Sequence, residues 1–393
     1  MNILYVTPLW SGIKSFFYEG KEIISGMPAF FNVFKSILED DKIDKVHIFL
    51  FIYNDTSKII IPELYQDKIR VHPYRIKGKL SLYSNTVKAI FKGAVLVRKH
   101  NIKSIYGHGT ISAIGSMIGK ITGVKHFRRI YGTFLHRKVK GGKNIFRTNF
   151  YEYLAFSLKC DGLIITNDGT HGDKVFQEIG DKETDLHFLL NGLNRLPQIP
   201  TTVKSIKNMR EPFFSYVARI DRWKRQYLLV EALNIVKNDF KLDLPMTYIA
   251  GPIFDKSYLY ELEELIAKYN LNDDIEITGP LPKEEVYYLL KNALATFSLY
   301  DFSNLGNVFL ESLSMGSLMV AINEENSLDL ISEDCYLEVS GELVQVLAEK
   351  IKLIITDPNL FKNTREKAIE FSNTKIGTWK DRVRKEKQIV LNV

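Results

Sequence analysis

Cysteine is scarce in this 393-residue chain. Cys160 and Cys335 stand far apart and without metal-ligand spacing, which excludes a disulfide framework and suits a reducing compartment. There is no Asp-x-Asp pair and no His/Cys cluster of ligand spacing, so no metal site and no cofactor are expected. No apolar run reaches the roughly 18 residues needed to cross a bilayer. The opening Met1-Asn-Ile-Leu-Tyr-Val-Thr-Pro8 reads as a buried strand running into a loop, not as a signal peptide, and a cytoplasmic protein is expected. Acidic residues are missing altogether between Asp67 and Glu152, where nineteen Lys/Arg are interleaved with Tyr74, Tyr83, Phe91, Phe127, Tyr131 and Phe134. That stretch suits an anionic membrane face, a lipid-diphosphate acceptor or nucleic acid, and a plain solvated basic surface is the simpler account.

What is present is an ordinary globular composition, 45% hydrophobic and 25% charged, at a length that favours two domains. The charge is uneven. Residues 1–195 carry 29 Lys/Arg against 17 Asp/Glu, a net +12, and the remainder carries 24 against 29, a net −5. Short apolar runs at 2–6, 46–51, 104–106, 127–131 and 162–166 alternate with helical patterns such as 29–38 and 84–99. The alternation restarts with runs at 213–218, 246–250, 275–278 and 295–298. Buried runs separated by helices predict parallel sheets covered on both faces, hence two α/β units. The Asn191-Gly192 turn and the proline-bearing Leu196-Pro-Gln-Ile-Pro200 put the boundary near 197–205.

Chemistry is carried first by Arg219 and Lys224, in Val217-Ala-Arg-Ile-Asp-Arg-Trp-Lys224. A planar guanidinium fork and a compact ammonium can neutralise two adjacent phosphates. Ser303-Asn-Leu-Gly-Asn307 is a polar turn opening a helix, and Gly306 lets backbone N–H groups and the positive helix end approach an anion. Glu311 follows two turns into that helix. In the first half, His108 lies in Tyr-Gly-His-Gly-Thr110 at a strand end, where a lone histidine in a glycine loop is more often structural. Asn167 and Asp168 end another strand and are candidates for touching sugar or acceptor, an Asx turn being the simpler explanation.

The segments Val217–Lys224, Ile249-Ala-Gly-Pro252, Ile275-Glu-Ile-Thr-Gly279 and 303–316 occur in the order and spacing of the retaining glycosyltransferases of family four, which this chain resembles. The resemblance implies the GT-B fold: two Rossmann-like α/β/α domains facing across a central cleft, residues 1–197 on the acceptor side and 198–375 binding the nucleotide-sugar. It also implies that a tail at 376–393, with Trp379, returns to the first domain. It gives Arg219 and Lys224 the diphosphate and Glu311 the ribose. Gly26, in Ser25-Gly-Met-Pro28, is the expected diphosphate loop of the first domain, and Leu281, in Gly279-Pro-Leu281, meets the base through its backbone. Ser303, Asn304, Leu305, Gly306 and Asn307 complete the donor set, although the family has a second glutamate where Ser303 stands. Tyr131 replaces a histidine associated with the donor sugar, and Thr133 lies two residues on as a further sugar contact.

The expected activity is a metal-independent, retaining transfer of a hexosyl group from a nucleotide-diphosphate sugar, UDP-sugar favoured, to a glycan or lipid-linked acceptor in cell-surface polysaccharide or glycoconjugate assembly. Work at the cytoplasmic membrane face is part of that expectation. The alternatives are a basic nucleic-acid-binding protein and a sugar-nucleotide-binding protein or epimerase without transfer.

Overall fold

A computed structural model describes every residue except Ser25, Lys143, Leu196, Asn392 and Val393. Ser25 of the expected diphosphate loop and Leu196 of the expected linker therefore lie outside the described residues. The chain divides into Met1–Asn191 with Trp379–Val393, and Gly192–Thr378.

The first unit holds seven parallel strands: β1 (Asn2–Pro8), β2 (Lys45–Tyr53), β3 (Ile69–Ile76), β4 (Ile102–His108), β5 (Lys125–Ile130), β6 (Gly162–Thr166) and β7 (Leu186–Leu189). Their spatial order is β3-β2-β1-β4-β5-β6-β7. Both faces of the central strands are covered, which is why β1 and β6 are apolar without alternation. β3 escapes a sequence reading because Arg70, His72, Pro73 and Arg75 interrupt its apolar residues; it lies at the sheet edge, where proline and charge are tolerated. Phe16 and Phe17, in the loop after β1, are core residues packed against Phe34.

The second unit repeats the plan with β8 (Phe213–Val217), β9 (Met246–Ala250), β10 (Ile275–Gly279), β11 (Thr296–Ser298), β12 (Met319–Ile322) and β13 (Leu337–Val339), ordered β10-β9-β8-β11-β12-β13. In each sheet the strand order reverses beside the unit's first strand, between β1 and β4 and between β8 and β11. Loops leaving the carboxyl ends of strands at such a reversal diverge to opposite faces and leave a crevice, the usual ligand position of this architecture.

The division between units falls before the prolines, because Leu193 and Arg195 already belong to the second unit. Leu193 donates its N–H to Gly377 O at 3.0 Å, and the Arg195 guanidinium holds Asn373 and the Ile376 carbonyl. The same contacts keep residues up to 378 in the second unit, so the returning helix is Trp379–Leu391. Its Arg382, Glu386 and Val390, four residues apart, share one inward face. Glu386 is 1% exposed and ion-paired to Arg129 at 3.3 Å and Arg382 at 2.5 Å, while the Tyr106 hydroxyl donates to it. Ser104 Oγ donates to the Val390 carbonyl at 2.7 Å, and Lys387 meets Asp40 at 2.7 Å.

Candidate functional site

The loop after β8 and the turn after β11 leave the neighbouring strands at the reversal of the second sheet, and hydrogen bonds join them. Asp301 donates its N–H to Trp223 O at 2.9 Å. The Tyr216 hydroxyl donates to the Lys224 carbonyl and accepts from Leu299 N–H at 3.3 Å. Asp221 caps the short turn Arg222–Lys224 by accepting from Trp223 N–H. These bonds aim Lys224 inward: it is 9% exposed, with Nζ 3.5 Å from the Tyr300 ring centroid and 4.0 Å from that of Trp223. An ammonium walled by two aromatic faces is drawn to both rings and shielded from water, so an incoming anion meets it at short range and low screening.

Arg219 is more open. Its guanidinium lies 4.6 Å from the Phe254 ring centroid and 3.4 Å from Asp221, with 41% of the side chain exposed. Gly251, in the loop after β9, is required by its surroundings: a Cβ there would lie 1.9 Å from the Ala218 carbonyl oxygen, at a φ of +155°. The backbones on either side of Arg219 and Gly251 can approach only because that side chain is missing.

The turn itself is held by Asn304. Its Oδ1 accepts from Ser298 Oγ and Tyr300 N–H, both at 3.0 Å, and its Nδ2 donates to Tyr300 O at 2.9 Å. Asn304 is fully buried, so its side chain shapes the turn, which corrects the expectation that it meets the donor. Leu305 is likewise 1% exposed and can offer a ligand only its backbone. Ser303 adopts a left-handed φ of +61°, uncommon for a residue with a Cβ. Gly306 has an extended backbone, and a Cβ on it would meet only Ser303 O at 3.6 Å. Nothing inside the unit demands that glycine. The helix Asn307–Met315 begins there, so its positive end and the Gly306 backbone come together at the turn.

Glu311, on that helix, is 8% exposed and takes both oxygens to Lys283 Nζ at 2.6 and 2.7 Å. Burial holds its carboxyl above the ordinary 4.5, with the Lys283 ammonium opposing. Lys283 was absent from the sequence reading; the signal was its place two residues after Leu281, at the start of the helix Lys283–Asn292. Leu281 is half-buried on the apolar side of this unit. Arg225 was missed too. It pairs with Asp301 and lies 3.6 Å from Glu324.

In the first unit the reversal between β1 and β4 is lined by aromatic rings. A cavity of about 190 Å³ is bounded there by Trp10, Met27, Thr110, Tyr131, Gly132 and Glu152 among others. Tyr131 accepts or donates a 2.9 Å hydrogen bond with His108 Nδ1 and lies 4.6 Å from the Arg129 guanidinium. His108 is 2% exposed, stacked on Tyr5 at 4.9 Å, and burial with the nearby Arg129 charge holds it neutral. It orients Tyr131 from beneath, which corrects its assignment as a sugar contact. Thr133 is also buried: Oγ1 donates to Glu152 at 2.8 Å and accepts from Leu135 N–H. Asp168 accepts from Thr170 N–H and Oγ1, forming the Asx-type turn, and Asn167 donates its N–H to Leu189 O at 2.9 Å. A Cβ on Gly26 would stand 2.5 Å from Gly12 Cα, so this glycine serves a close backbone crossing. Gly12 had no signal in the sequence, since its partner lies fourteen positions on.

With this geometry in place, likeness to known proteins becomes informative. Two Rossmann-like parallel sheets in one chain define the GT-B class, and solved structures agree. Anabaena Alr3699/HepE in complex with UDP and glucose superposes with a TM-score of 0.70 at 14% identity, over 100% of both chains. Sucrose-phosphate synthase from Thermosynechococcus elongatus gives 0.72 at 17%, over 100% of this chain and 98% of that one. WaaG, a glycosyltransferase involved in lipopolysaccharide biosynthesis, gives 0.67 at 13%, over 100% of both. No curated protein sequence matches. Residues 200–371, in the second unit, match the family model of glycosyl transferases group 1. Among the described residues no helix is long and apolar enough to cross a membrane.

Proposed function

We propose that this chain is a retaining hexosyltransferase that takes its sugar from a nucleotide-diphosphate donor, a UDP-sugar by preference, and passes it to a glycan or lipid-linked acceptor in cell-surface glycan assembly. The observation that carries the reading is the joined pair of loops at the β8/β11 reversal, which combine buried Lys224, the helix start at Gly306 and buried Glu311. UDP in the HepE complexes supports the choice of base, and HepE has also been solved with UDP-glucose.

In the proposed reaction the bond between the anomeric carbon and the diphosphate oxygen breaks, and a bond from that carbon to an acceptor hydroxyl oxygen forms on the same face. The hydroxyl proton leaves with the departing phosphate oxygen. Negative charge grows on the diphosphate as this happens, so Lys224, Arg219 and the helix N–H groups stabilise the transition state more than the bound donor. Glu311 accepts from the ribose hydroxyls and exchanges its Lys283 contact for them in part. With no Asp-x-Asp pair in the sequence, these protein cations take the place of a bridging metal in the proposal. Work at the cytoplasmic membrane face fits the basic first half.

Lys224→Met keeps the aliphatic stem between the two rings and removes the charge, and Glu311→Gln removes the anionic acceptor. Each is expected to lower sugar transfer from the preferred nucleotide-sugar by about 10²–10³-fold with the circular dichroism spectrum unchanged. Full transfer by both variants would reject the site.

A further inference from the structure

The helix Lys79–Lys99 is apolar on two opposite sides. Ala89, Gly93, Leu96 and Val97 pack into the first unit, where Gly93 admits the Ile118 side chain. Leu80, Tyr83, Val87, Phe91 and Val95 follow one another by three and four residues, so they form one stripe along the other side. That stripe faces solvent: Leu80 is 86% exposed, Phe91 69% and Val95 64%. It continues off the helix, because Tyr83 lies 6.4 Å from Phe150, which in turn lies 5.3 Å from exposed Phe146. A run of apolar side chains this long is seldom left in water on a monomeric surface.

Its flanks are cationic. Lys79, Lys88, Lys92, Arg98 and Lys99 are exposed on this same helix. No carboxylate occurs anywhere from residue 68 to residue 151 to neutralise them. We infer that this helix face lies in the surface of an anionic lipid bilayer, with the stripe at the level of the acyl-chain boundary and the lysines among the phosphates. Two other occupants fit less well. A second copy of the chain would set one lysine row against another. Nucleic acid would satisfy the charge but not Leu80, Val87 and Val95, which have no ring to stack on bases. The inference deepens the membrane element of the proposed function and is independent of sugar transfer.

The test is co-sedimentation of the full chain with vesicles of phosphatidylcholine alone and of phosphatidylcholine with phosphatidylglycerol. Binding is expected only to the anionic vesicles, falling steeply in 0.5 M salt. Val87→Gln with Phe91→Gln replaces two exposed side chains by good helix formers and is expected to weaken that binding about tenfold or more. Lys88→Gln with Lys92→Gln should weaken it about fivefold per residue. The shift in melting temperature produced by UDP alone should be the same in all these variants. Failure of that shift in the wild type would count against the donor site, not against the membrane face. Equal vesicle binding by the wild type and the Val87/Phe91 variant overturns the inference. So does binding to neutral vesicles at equal strength, as does a dimer or nucleic-acid complex that the same variant abolishes in the absence of vesicle binding.

Discussion

At the residue scale the proposed donor site turns on charges held out of water. Glu311 is the clearest case, since burial raises its pKa and Lys283 only partly offsets the rise. A ribose diol donates to an ionised carboxylate, so donor affinity should fall on acidification, starting at a higher pH than an ordinary glutamate's 4.5. For folding the same shift has the opposite sign: the folded chain binds this proton more tightly than the unfolded one, so at this group acidification adds stability. A UDP titration across pH 4 to 8, read by calorimetry, should therefore show weaker binding in acid without unfolding, and Glu311→Gln should remove this contribution to the pH slope. Arg219, Lys224 and Glu311 stand out in the sequence as candidates because cation pairs and a carboxylate at a set interval survive as a pattern along the chain. Asn304, Thr133 and His108 looked alike in sequence, as polar residues at strand ends. Their hydrogen bonds run inward instead, to Tyr300, Glu152 and Tyr131.

At the scale of elements, two glycines beside the same sheet separate fold from ligand. Gly251→Ala would drive a methyl group into the Ala218 carbonyl, a backbone atom that cannot turn aside. The cost should exceed about 2 kcal/mol and lower the melting temperature by roughly 4–8 °C or more. Gly306→Ala meets no such obstacle. It should cost less than about 1 kcal/mol in stability, read in the same melting experiment. Its effect should appear as weaker UDP binding, because the added methyl stands where a phosphate would approach the helix start. Sequence alone marked Gly306 as special and gave Gly251 only as part of the segment Ile249–Pro252. Only the packing around each shows that one serves the chain and the other is left open. At Gly26, too, the space a side chain would need is taken up by the Gly12 backbone.

At the scale of the molecule, the first unit is closed by a helix drawn from the end of the chain. Glu386 compensates Arg129 and Arg382 inside it, all three at 7% exposure or less. Glu386→Ala would leave two buried guanidinium groups without their carboxylate and should destabilise the first unit by about 3–5 kcal/mol. Denaturant unfolding followed by tryptophan fluorescence would show it, and an unchanged midpoint would mean that the helix end contributes little. Nothing near residue 129 in sequence signals a partner 257 positions later. The spans of β6 and β9 could be read directly, since strands buried on both faces show as unbroken apolar runs. The sequence by itself determined the α/β alternation and the two-unit plan, and it supplied the residue types that suit a phosphate, because each follows from local periodicity or side-chain chemistry. Only the tertiary structure decided which polar groups spend their hydrogen bonds inside, which glycines the backbone needs, and which side of the Lys79–Lys99 helix faces water. Those depend on neighbours that folding supplies from distant parts of the chain.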